Sequence, residues 1–78
     1  MSAIDVDFWR LFGRVLGHPV APGRYAPSDL KGWDSLRHVE LVLELEEAFG
    51  IDVPQNDIAL LYSDTDAVLS YLRERANR

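Results

Sequence analysis

Asp34-Ser35-Leu36-Arg37-His38-Val39-Glu40-Leu41-Val42-Leu43-Glu44-Leu45-Glu46-Glu47-Ala48-Phe49-Gly50 is the stretch on which the fold turns. Asp34 and Ser35 are both residues that cap a helix by offering a side-chain oxygen to the free N–H groups of its first turn, and Gly50 is the residue that ends one. Between them the sequence predicts a helix with two apolar stripes. Leu41, Val42, Leu45, Ala48 and Phe49 fall on one side, as a core-facing stripe should. Leu36, Val39 and Leu43 fall on another, interleaved with Glu40, Glu44 and Glu47. Two readings fit this second stripe. It is a docking surface for a partner presenting an apolar patch ringed by Arg and Lys, or the helix is central, packed on both sides, with its glutamates solvated.

Upstream, Ile4, Phe8, Leu11, Phe12, Val15 and Leu16 recur at three- and four-residue steps, which predicts a first amphipathic helix stopped at Gly17. Asp5 and Asp7 suit its first turn. From Gly17 to Trp33 the period vanishes among Pro19, Pro22, Gly23, Pro27 and Gly32, so a long ordered loop is expected, with Val20, Tyr25 and Leu30 available to pin it. Downstream, Ile51 to Pro54 is expected to be extended. A short third helix follows over Asn56 to Leu61, carrying Ile58, Leu60 and Leu61. A last helix uses Ala67, Val68, Leu69, Tyr71 and Leu72, with Ser63 and Asp66 as a capping box and Arg73 and Arg75 near its C-terminal dipole. The expected fold is all-α: a small four-helix bundle, three main helices plus the short third one, with a long loop between the first two, forming one domain over residues 1–78.

Apolar residues make up 47% of the 78 residues, enough to build a core. Asp and Glu number 13 against 8 Lys and Arg, a formal charge of −5. That balance repels phosphate backbones, so nucleic acid is not an expected partner, and it favours basic protein surfaces or serves solubility. With no cysteine, disulfides, thiolate metal sites and thiol nucleophiles are excluded together, and any reactive sulfur must come from a cofactor. No run reaches the roughly 18 apolar residues that would cross a bilayer. The stretch 1–7 lacks the basic patch and apolar block of a secretion signal, so no membrane insertion and a cytoplasmic location are expected.

Gly32-Trp33-Asp34-Ser35-Leu36, continued by Val39-Glu40-Leu41-Val42 and by Leu45-Glu46-Glu47-Ala48-Phe49-Gly50-Ile51-Asp52-Val53-Pro54, resembles the acyl carrier protein signature around its Asp-Ser-Leu attachment site. The resemblance runs from the loop before the serine to the proline after the helix, and more loosely through Tyr71-Leu72. The first helix and the loop agree in length and placement alone. It implies that Ser35 carries covalent 4′-phosphopantetheine installed by a phosphopantetheinyl transferase, with Asp34 and Leu36 flanking the attachment point and Asp34 helping to orient the transferase or its metal. Acyl groups would ride as thioesters on the arm, which supplies the sulfur this chain lacks. Glu40, Glu46 and Glu47 match the family's acidic recognition positions, with Leu43 at the apolar contact and Val39 and Arg37 beside them. The implied partners are acyl-loading and acyl-processing enzymes with basic docking patches, met by a monomer. Arg37 departs from the acid common in fatty-acid synthase carriers, and Trp33 from their small residue. Trp-Asp-Ser-Leu is closer to free-standing carriers of polyketide and other specialised pathways. A peptidyl or aminoacyl carrier is the runner-up, though its frequent Gly-Gly is replaced by Gly32-Trp33.

An enzyme built on Asp34, Ser35 and His38 is disfavoured, because no Gly-x-Ser-x-Gly elbow is present and a shallow bundle offers no enclosed pocket. No catalytic residue is therefore assigned. His38 is expected at the edge of the docking face or half buried, and His18 in the loop. Neither has His-Glu-x-x-His spacing, so no metal site is expected. A lone serine here would serve as an N-cap, and a non-covalent helical adaptor would show the same acidic, partly apolar helix. Ile58 and Leu61 either shelter an apolar chain between the second and third helices or are plain core.

Overall fold

The computed structural model describes residues 3–76; the outermost residues of the expected domain, 1–2 and 77–78, lie outside the described residues. Its elements in order are α1 (Ala3–Leu16), a 3-10 turn (Pro27–Asp29), α2 (Ser35–Phe49), α3 (Gln55–Leu61) and α4 (Thr65–Ala76). No strand occurs among the described residues. The protein is thus an all-helical small bundle with a long first connection, as the periodicity predicts.

Packing follows from the stripes. Phe8, Leu11, Phe12 and Leu16 of α1 meet Leu41, Val42 and Leu45 of α2 and Val68, Leu69 and Leu72 of α4 in one buried cluster. Within it Phe8 and Phe12 stack at 5.2 Å between ring centroids. Trp9, which the periodic stripe omits, is also buried. It stands edge-on to Phe8 at 4.9 Å and lies 6.1 Å from Tyr25, so the loop supplies the cover that the helical period could not reveal. Ala48 is exposed rather than core-facing.

The loop is ordered by bonds to distant chain. Thr65, fully buried at the start of α4, donates from its hydroxyl to the Gly23 carbonyl at 3.1 Å and accepts from the Tyr25 N–H at 3.0 Å. Its own N–H donates to the Tyr25 carbonyl at 2.9 Å. Val20, Tyr25 and Leu30 pack against the core as expected. Gly32, with φ +95, lets the chain pass α1 where a Cβ would come 3.2 Å from the Leu16 carbonyl oxygen. That close approach delivers Trp33 to the interior.

The cap of α4 differs from the expected Ser63–Asp66 box. Asp64 fills the role, its carboxylate accepting from the Ala67 N–H at 2.8 Å, while the Ser63 hydroxyl donates back to the Leu60 carbonyl at 3.1 Å. The Asp64 carboxyl is held below the usual range, chiefly by that N–H and also by Arg24. At the far end, Arg73 reaches Asp5 at 2.7 Å and 3.2 Å, joining the last turns of α4 to the first turn of α1.

Candidate functional site

The head of α2 is built by its cap. Asp34 is extended, and its carboxylate accepts the Arg37 N–H at 2.8 Å while its carbonyl accepts the His38 N–H at 2.9 Å. The side chain thus satisfies one free donor of the first turn, the Arg37 N–H, while the carbonyl accepts the first intrahelical bond. Ser35, the first residue of α2, is exposed, and its hydroxyl makes no hydrogen bond among the described residues. Asp34, not Ser35, is therefore the capping side chain, which leaves the serine oxygen facing solvent beside the positive end of a 15-residue helix.

Beneath the serine lies a buried polar network that sequence reasoning missed. Trp33 is buried and donates its indole Nε1–H to His38 Nδ1 at 3.2 Å. His38 is 2% exposed, not at the edge of a surface or half buried. Its Nε2 lies 2.7 Å from the Ile58 carbonyl. A carbonyl can only accept and an indole N–H can only donate, so the proton sits on Nε2 and Nδ1 is bare. Burial lowers the imidazole's pKa, opposed in part by the bond to Ile58. The Tyr62 hydroxyl completes the network by donating to the Trp33 carbonyl at 3.2 Å. The signal available in the sequence was the pairing of an indole donor with an imidazole five residues on. Both ring nitrogens of His38 point to these partners, so the ring is committed to structure rather than to activating Ser35.

The second stripe of α2 faces solvent. Leu36 is 69% exposed, Val39 45% and Leu43 58%. At 3.6 residues per turn, Val39, Leu43, Leu36, Glu47 and Glu40 follow one another across an arc of about 100°. Leu60 of α3, also exposed at 70%, adds a further large apolar side chain to the surface. The expected acidic positions differ in their surroundings. Glu47 is exposed and makes no bond among the described residues, and Glu40 has only a loose approach to Arg37 at 3.9 Å. Glu46 instead accepts the Val53 N–H at 2.8 Å, clasping the segment before α3, and Glu44 pairs with Arg14 of α1 at 2.9 Å. Arg37 turns away from the serine and donates to the Val15 carbonyl at 2.9 Å, satisfying the last turn of α1. Of the two residues considered for a sheltering role, Leu61 is in the core and Ile58 packs half-buried against it.

Fold and site together define the class: an all-helical bundle presenting an open serine at the head of its second helix, beside an apolar and acidic face. The comparison with known proteins agrees. An acyl carrier protein of Desulforapulum autotrophicum is 40% identical over 45 residues, and this supports an acyl carrier protein family for the chain. The aligned stretch covers 58% of this chain and 57% of that protein, so the chain matches little more than half the length of its relative. No family model matches the chain. No solved structure matches it either. Among the described residues no group of His, Asp or Glu is arranged to hold a metal ion, and no helix is long and apolar enough to cross a membrane.

Proposed function

We propose that this chain is a carrier protein, a single domain that holds a 4′-phosphopantetheine arm on Ser35 and presents acyl thioesters to partner enzymes rather than catalysing their chemistry itself. The observation that carries the reading is the open Ser35 hydroxyl at the head of α2. Asp34 takes the capping duty, so modification of Ser35 removes no hydrogen bond on which the fold depends. The N–H groups of the first turn that the Asp34 side chain and carbonyl do not take up, those of Ser35 and Leu36, remain to orient a phosphodiester, as helix N-termini do for anions. The residues present therefore fit the group.

In the loading reaction, the Ser35 oxygen forms a bond to the β-phosphorus of coenzyme A as the pyrophosphate P–O bond breaks. The hydroxyl proton passes to base, and adenosine 3′,5′-bisphosphate leaves. The arm supplies the thiol that forms the thioester. Asp34 stands beside the attachment point, where its carboxylate helps orient the transferase and its metal-bound coenzyme A. Leu36, Val39 and Leu43 offer the apolar contact for successive enzymes, and Glu40 and Glu47 offer charges that steer basic partner surfaces and keep the contact transient. Glu46 and Arg37 act from within the fold, holding the Val53 segment and the end of α1 in register behind that face.

Incubation of the purified protein with coenzyme A and a broad phosphopantetheinyl transferase tests the reading by intact mass. One phosphopantetheine should be gained by the wild type and none by Ser35→Ala. An unchanged wild-type mass with a transferase that modifies a control carrier overturns it in favour of a non-covalent adaptor.

A further inference from the structure

We infer that the cargo of this carrier is a compact or polar acyl group kept at the protein surface, because an aromatic column fills the interior between α2 and α3. The inference rests on the reading of Ser35 as the attachment point and concerns what hangs from it. The column starts at Phe12 of α1, which meets the Trp33 indole edge-on at 5.1 Å. Trp33 in turn meets Tyr62 edge-on at 5.9 Å, and Tyr62 lies against His38 at 4.9 Å. The His38 bond to the Ile58 carbonyl at 2.7 Å draws the first turn of α2 directly onto α3. Leu61, Leu41 and Leu45 belong to the same buried cluster, each nearly inaccessible to water.

This column is polar as well as full. Every buried side-chain nitrogen and oxygen among the described residues has a partner. An alkyl chain entering below Ser35 must displace the Trp33 indole or separate His38 from Ile58. Either move strands buried donors and acceptors that no hydrocarbon can satisfy. Added methylenes in an interior already filled also force neighbouring side chains and backbone to shift. A long saturated chain therefore gains nothing by entering. A short acyl group, or one bearing its own hydroxyl, keto or carboxylate groups, loses nothing by staying out.

Wild-type protein loaded by the transferase from acetyl- and from octanoyl-coenzyme A tests this. Hydroxylamine attacks the thioester carbonyl to give the hydroxamate and the free thiol, and the loss of acyl mass is followed against the same thioesters of free pantetheine. Each sheltered methylene should slow cleavage about fourfold, so sheltering two would give more than tenfold. The expected result is that the two protein-bound thioesters differ by less than about fourfold after correction by the free ones, with the Trp33 indole N–H and Ile58 amide resonances unmoved by the longer chain. Protection of the octanoyl form by about fourfold or more, or shifts of those two resonances specific to it, overturns the inference while leaving the carrier reading intact. Failure of both coenzyme A thioesters to add mass, with a transferase that modifies a control carrier, overturns the carrier reading and the inference with it.

Discussion

His38 shows how one residue can couple the head of α2 to both the loop and α3. Its ring accepts from Trp33 and donates to Ile58, so only the neutral imidazole satisfies both partners. A protonated ring would point an N–H at the indole N–H. Burial accordingly depresses its pKa from the ordinary value of about 6.5. The Tyr62 ring packs against it from the α3 end. The sign follows from linkage. Below pH about 6.5 the unfolded chain binds the proton and the folded one does not, so stability falls as pH falls, by at most about 1.4 kcal/mol per unit, until the folded-state pKa is passed. Urea denaturation between pH 7.5 and pH 5 should show this loss on top of the carboxylate background, and His38→Gln should flatten it. Equal slopes for the two proteins would show that His38 does not titrate differently on folding. The neighbouring cap makes a simpler prediction: Asp34→Ala leaves the Arg37 N–H without its acceptor and should cost about 1 kcal/mol of stability by the same measurement.

Element boundaries were legible where a single side chain encodes them. Asp34 and Gly50 bracket α2 as the sequence predicts, because the aspartate can accept the N–H of the third helical residue and Gly50 adopts φ 64 at no steric cost. The start of α4 was not, because Ser63 and Asp64 are adjacent and equally able to cap. The choice fell to Asp64, beside Arg24 of the loop, a contact that local pattern cannot contain. The same limit applies to the glutamates of α2. Glu46 and Glu47 are indistinguishable by type, yet one binds the backbone of Val53 and the other faces solvent. Mutation should separate them. Glu46→Ala is expected to lower stability by about 1 kcal/mol, whereas Glu47→Lys and Glu40→Lys should stay within about 0.5 kcal/mol of wild type. The two lysine variants should instead slow transfer to a basic partner enzyme by roughly three- to tenfold, with the deficit shrinking at high salt. Transfer rates unaffected by charge reversal at both positions would remove this face of α2 from the docking surface.

At the scale of the whole molecule, the four helices and the placement of Ser35 could be inferred because helical period and cap chemistry are local, whereas the order of the long loop could not. Its hydrogen bonds reach Thr65, some forty residues onward, and no feature near Pro22 or Gly23 announces that partner. Thr65 itself looks like an ordinary first residue of a helix, but it is buried completely and its hydroxyl serves the loop twice, donating to Gly23 and accepting from Tyr25. The loop in turn covers Trp9 through Tyr25 and leads to Gly32 and Trp33 below the serine. Thr65→Val keeps the shape of the side chain while leaving a part-buried N–H and a carbonyl without their partner, and should cost about 1 to 3 kcal/mol. Thr65→Ser restores both bonds and loses only a methyl group, so it should cost no more than about 1 kcal/mol. Amide exchange at Tyr25 reports the clasp directly: it should accelerate in the valine variant and not in the serine variant. If valine proves as stable as threonine, with Tyr25 equally protected, the loop is held by Val20, Tyr25 and Leu30 against the core, and the hydroxyl contributes nothing that apolar packing does not already supply.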